Sequence, residues 1–209
     1  MSKIVGGLIK RAFTLADKVQ GLGFSPEDLQ RKTLKRLMQK AEYTAFGRHF
    51  GFSRILDSTD LVKNFQEAIP FYDYDKIHAE WWHRCLENKT DVAWPGKVKY
   101  FALSSGTTGA PSKYLPMTDD MIKAIRKAAM KTYFASTRFG LESDFFTKSG
   151  LFISGTTSLK DSGGYYVGDM SGINLKKDPL GAQLFAPRQS YSSDTRLESA
   201  FRHHSPQRP

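Results

Sequence analysis

At about 100° per residue on a helical wheel, Ile4, Val5, Leu8, Ile9, Ala12, Phe13, Leu15, Ala16 and Val19 share one half of the circle. Lys3, Lys10, Arg11, Asp17 and Lys18 take the other half. The pattern predicts an amphipathic helix packed through its apolar side, with its lysines in solvent. Ser25, Pro26 and Asp28 supply an N-cap, a first-turn proline and an acid at N3, which predicts a second helix from about residue 26 to 45 with Gly47 as its stop. Arg31, Lys32, Lys35, Arg36 and Lys40 give that helix a basic face. Thr59 is placed to cap a short helix through Glu67, Pro70 interrupts, and Asp75 to Leu86 reads as a further helix whose Trp81 and Cys85 pack.

After Pro95 and Gly96 the period changes. Val98, Tyr100 and Ala102 alternate with Lys99 and Phe101, which predicts a strand running into Ser104. A cluster of glycines and hydroxyls follows. Met121, Ile122, Ile125, Ala128, Ala129 and Tyr133 then recur at helical spacing, predicting a helix from Asp119 to about Ser136 capped by Thr118 or Asp119. Leu151 to Ile153 reads as another strand, and the stretch from Asp161 to Asp169 as a glycine loop, either at the surface or bordering a substrate pocket. From about Ala186 the chain turns to Arg, Ser, Gln, His and Pro, a composition that buries too little apolar surface to order itself. The elements predict an α/β fold over residues 1–185, with 186–209 as a disordered or aberrant tail.

Composition narrows the function classes. The 209 residues are 40% hydrophobic, 13% aromatic and 25% charged, which is globular usage. The net charge is +10, and residues 1–50 hold ten Lys/Arg against four Asp/Glu, so polyanions are plausible partners. Cys85 is the only cysteine, which excludes an intramolecular disulfide framework and a cysteine zinc cluster, and fits a reducing, cytoplasmic setting. His49, His78, His83, His203 and His204 show no metal-ligand spacing, so no metal site is expected. No apolar run is long enough to span a bilayer.

The chemistry concentrates in Ser104-Ser105-Gly106-Thr107-Thr108-Gly109-Ala110-Pro111-Ser112-Lys113-Tyr114, between a predicted strand and a predicted helix. Hydroxyls donate to phosphate oxygens, glycines let the backbone approach closely, and turned N–H groups form a concave anion site. Lys113 adds a positive charge. The segment is not a Walker loop, because no Gly-Lys-Ser/Thr opens the next helix, and it is not a dinucleotide fingerprint.

This segment resembles the phosphate-binding motif of adenylate-forming enzymes. Its continuation, Lys113-Tyr114-Leu115-Pro116-Met117-Thr118, is most similar to the acyl-acid amido synthetases, the auxin- and jasmonate-conjugating plant enzymes and their bacterial relatives. Phe46-Gly47, Phe50-Gly51 and Ile69-Pro70-Phe71-Tyr72-Asp73-Tyr74 look like the region preceding the motif in that family. The resemblance implies the amino-terminal portion of the large domain of an adenylate-forming enzyme, a helical region followed by a sheet with the phosphate loop. It also implies ATP and magnesium as cofactors. A carboxylic acid and an amine or amino acid are the partners, joined through an acyl adenylate; neither nucleic acid nor an integral membrane span is expected.

Carried over residue by residue, Ser104, Ser105, Thr107 and Thr108 hold the ATP phosphates, Gly106 and Gly109 shape the loop, and Lys113 balances charge as pyrophosphate leaves. The family's downstream motifs, including its magnesium ligand, are not found here, so the isolated chain is expected to be inactive. Two other readings stay open: an acyl-CoA-type adenylating ligase, and a basic module binding nucleic acid or acidic membrane through residues 1–45.

Overall fold

The computed structural model describes residues 2–20, 23–104, 112–148 and 154–177. They divide into two units, one holding the described residues of Met1–Lys10, Tyr100–Leu115 and Gly140–Pro209, the other those of Arg11–Lys99 and Pro116–Phe139. The strand predicted at Leu151 to Ile153 and the tail from residue 186 lie outside the described residues.

In the second unit the helix signals act much as the sequence predicts. Helix α2 (Pro26–Ala41) starts with a complete capping box between Ser25 and Asp28. It ends earlier than predicted, and Thr44 is the reason. The Thr44 hydroxyl donates to the Ala41 carbonyl at 2.6 Å and accepts from the Gly47 N–H at 3.0 Å, closing one helix and capping α3 (Ala45–His49). Gly47 is therefore not a stop; it sits inside α3, where a Cβ would lie 2.1 Å from the Ala41 carbonyl oxygen. Helices α4 (Phe52–Leu56) and α5 (Leu61–Ala68) follow, and the cap of α5 is Asp60 rather than Thr59.

Met38, Ala41, Phe52, Ile55 and Leu61 form the core of this helical unit. Beside it the rings of Phe46, Phe50 and Trp81 meet with centroids 4.7 to 6.1 Å apart. Trp81 lies in a π-helical turn (His78–Trp82) between α6 (Tyr74–Ile77) and α7 (His83–Leu86), which together fill the single helix predicted from Asp75 to Leu86. The Trp81 indole donates to the Tyr72 hydroxyl at 3.2 Å, so this tryptophan packs as expected.

Helix α1 (Ser2–Gln20) has the predicted length, but the predicted inward face points outward. Ile4, Leu8, Leu15 and Val19 are exposed, Leu8 by 62%. The contacts come from the opposite side and from Phe13 at the edge of the apolar half. Gly6 is buried, and a Cβ there would lie 1.9 Å from the Ser143 carbonyl oxygen; Lys10 donates to the Leu141 carbonyl at 2.6 Å. Farther along, Phe13 meets Phe134 at 5.2 Å and Asp17 accepts two bonds from Arg138 at 2.6 and 2.8 Å. A backbone approach that only glycine permits, with polar anchors, decides the packed side here.

The first unit is built on a sheet in the order β2-β1-β4-β3. Strands β1 (Tyr100–Leu103) and β4 (Tyr166–Gly168) run parallel, Phe101 opposite Val167, while β3 (Lys160–Asp161) pairs antiparallel with β4. Phe101, Ala102, Val167 and Ile173 of α9 (Met170–Lys177) are buried. Strand β2 (Tyr114–Met117) was not legible in the sequence because Pro116 argues against a ladder position. The Asp161–Asp169 stretch is a hairpin rather than a loop, its turn made by Gly163 and Gly164 at positive φ. Helix α8 (Asp119–Ala135) is capped by Thr118.

Candidate phosphate-binding site

Strand β1 delivers Ser104, and Lys113 leads into β2. The Ser104 N–H donates to the Lys113 carbonyl at 3.0 Å, and the Lys113 N–H donates to the Ser104 hydroxyl at 3.1 Å. The segment is thus pinched at both ends by one residue pair. Its interior, including the predicted site residues Ser105, Gly106, Thr107, Thr108 and Gly109, lies outside the described residues. Lys113 is exposed and Ser104 half-buried.

The context differs from the predicted strand–loop–helix arrangement. The segment joins two strands, and α8 begins only at Asp119 with two acids, Asp119 and Asp120, in its first turn. The positive end of a helix dipole is therefore not what this segment offers an anion. By sequence the segment carries hydroxyl side chains, two glycines and Lys113.

The stem under the segment is rigidly packed. Phe101 is fully buried, with the Tyr165 ring at 5.0 Å and the Tyr114 ring at 6.4 Å. Tyr100 stacks on Tyr166 at 5.8 Å, with Lys177 over the first ring and Lys176 over the second. The part played by Tyr165 and Tyr166 was hidden in the sequence by the glycines around them; the Tyr166–Gly168 strand is short and its alternation weak.

Other candidates resolve into packing. Cys85 is buried, and burial pushes its thiol up to about 11, so it stays protonated and unreactive near neutral pH. His49 packs edge-on to Trp81 and Phe50, and His78 stacks on Tyr74. Among the described residues no group of three His, Cys, Asp or Glu could hold a metal ion. The basic face of α2 is partly spent internally, because Lys40 pairs with Asp120 at 2.5 Å and Arg31 approaches Asp60 at 3.9 Å. Among the described residues no helix is long and apolar enough to cross a membrane.

Two solved structures share this fold. One is described as AtGH3.15 acyl acid amido synthetase in complex with 2,4-DB: its TM-score is 0.64 and its identity 17%, over 81% of this chain and 28% of that one. The other, GH3.15 acyl acid amido synthetase, gives 0.64 and 19%, over 81% and 29%. The likeness is one of fold: a helical amino-terminal region followed by a four-stranded mixed sheet. The chain spans less than a third of the length of these relatives. No curated protein matches it. The sequence profile of the GH3 family N-terminal domain, however, matches residues 17–204, nearly the whole chain, and on that match the chain belongs to the GH3 family.

Proposed function

We propose that the chain carries the nucleotide phosphate-binding part of an ATP-dependent acid-amido synthetase. In that reaction a carboxylate oxygen attacks the α-phosphorus of ATP, the bond to pyrophosphate breaks, and an amine then attacks the acyl carbonyl as AMP leaves. The observation that supports this most is the hydroxyl- and glycine-rich segment pinched between Ser104 and Lys113 on a packed two-strand stem. GH3 membership and the fold shared with acyl acid amido synthetases agree with it.

Each part of the segment has a task in this reading. Ser104, Ser105, Thr107 and Thr108 donate hydrogen bonds to phosphate oxygens, while Gly106 and Gly109 bring the backbone close. Lys113 offsets charge on the departing pyrophosphate, an effect that counts only where the donor is already aimed. The sheet underneath holds the two ends of the segment, Ser104 and Lys113. Magnesium, when bound, neutralises phosphate charge. The acid named with one relative, 2,4-DB, fits the substrate class of small carboxylic acids. The reaction is set in a cytoplasmic compartment, as the single cysteine suggests.

The test is calorimetric titration of the 209-residue chain with ATP, beside a Ser105→Ala, Lys113→Ala double variant. The parent binds and the double variant does not. Equal binding by both places the nucleotide elsewhere and overturns the assignment.

A further inference from the structure

Helix α1 turns its large aliphatic side chains away from the fold. Ile4, Leu8, Leu15 and Val19 are exposed by 59 to 71%, and Val5 by 49%. At about 100° per residue these five and the exposed Ala12 occupy one outward arc, opposite Gly6, Lys10 and Asp17. Arg11 and Lys18, both exposed, border that arc on one side. The only acid of the helix, Asp17, is held by Arg138 at 2.6 and 2.8 Å. The helix thus presents outward an apolar stripe with a positive edge and no acid of its own.

We propose that this side of α1 seats on an anionic lipid surface, the helix lying in the plane of the headgroups without crossing the membrane. The aliphatic side chains enter the acyl boundary, while the long stems of Arg11 and Lys18 lie along the stripe and carry their charges to the lipid phosphates. Attraction to anionic lipid adds to the apolar contribution, and no carboxylate on the outward side of the helix opposes it. Charge also argues against a second copy as the occupant. The stripe is symmetric about the middle of the helix, Leu8 matching Leu15 and Ile4 matching Val19. Two copies docked antiparallel through it would bring their Arg11 side chains together, with no acid on the outward side of either helix to offset them. A nucleic acid would satisfy the charges but leave the aliphatic stripe in water. The packed side keeps its partners throughout, Gly6 at the Ser143 carbonyl and Phe13 at Phe134, so the fold does not open on binding. The lipid contact uses no residue of the Ser104–Lys113 segment.

The test is flotation of the full 209-residue chain with phosphatidylcholine vesicles, with and without phosphatidylserine. The parent floats with the phosphatidylserine vesicles and stays behind with the neutral ones. Leu8→Asp melts like the parent and lowers the partition coefficient roughly ten- to a hundredfold. An Arg11→Glu, Lys18→Glu double variant keeps the stripe and lowers it by about tenfold or more. A parent that does not float overturns the inference, and so does a double variant that floats as the parent does. Flotation that Leu8→Asp leaves unchanged overturns it too, since charge alone then binds, as it would bind a nucleic acid. Leu8→Asp melting below the parent makes the stripe a packed surface and has the same consequence. A parent that self-associates without lipid, with Leu8→Asp reversing the association, assigns the stripe to a second copy instead.

Discussion

Lys113 and Asp120 show how differently two charged side chains near the same strand are used. Lys113 is exposed at the end of the candidate loop, and removing its charge should cost a charge-assisted contact of about 1.5–3 kcal/mol. In a longer GH3 protein carrying the same segment, the corresponding Lys→Ala change should slow acid-dependent pyrophosphate release roughly ten- to a hundredfold; an unchanged rate would remove the lysine from the chemistry. Asp120 is structural: it accepts from Lys40 and from the Trp94 indole, and these bonds, Lys40 first, hold its carboxyl below its ordinary value of 3.8. A lowered carboxylate stabilises the fold above pH 3.8 and loses that contribution as pH falls through the depressed value. Asp120→Asn should therefore be less stable than the parent at pH 7, and the gap should narrow in melts below pH 4. A gap that widens on acidification would contradict this. The residue types at 104–113 were legible through their resemblance to a known motif. The acceptor role of the Ser104 hydroxyl was not, because a serine before a glycine-rich stretch reads the same whichever atom its oxygen faces.

Helix α1 is the element on which sequence pattern and packing part company. A wheel sums apolar side chains, and by that sum the Leu8 side should be buried; the structure buries the Gly6 side instead, because a missing side chain lets the Ser143 carbonyl approach. Gly6→Ala should then lower stability by about 1–3 kcal/mol in denaturant titration, as overpacking does, while Leu8→Asp should stay within about 0.5 kcal/mol of the parent. If Leu8→Asp proves the more damaging, the apolar side is the packed one. Capping signals were read well at Ser25 and Thr118, where short-range chemistry suffices. The break at Thr44 depends on a hydroxyl returning to Ala41, and β2 and β4 on partners distant in sequence, so neither could be found by period alone.

For the whole molecule, the order of helices first and sheet second was readable from the switch in hydrophobic period near Gly96, and family membership rests on a match over residues 17–204. The +10 charge left a competing account, in which residues 1–45 form a basic surface for polyanions. Two members of the basic face, Arg31 and Lys40, have acidic partners within the fold, which favours the loop. Backbone amide shifts recorded while ATP is titrated into the labelled 209-residue chain test the two accounts against each other. Binding through the phosphate loop predicts saturable shifts centred on Ser104 to Lys113 and abolished by Ser105→Ala with Lys113→Ala. Shifts centred on Arg31, Lys32, Lys35 and Arg36, fading with added salt and indifferent to that double variant, would contradict it.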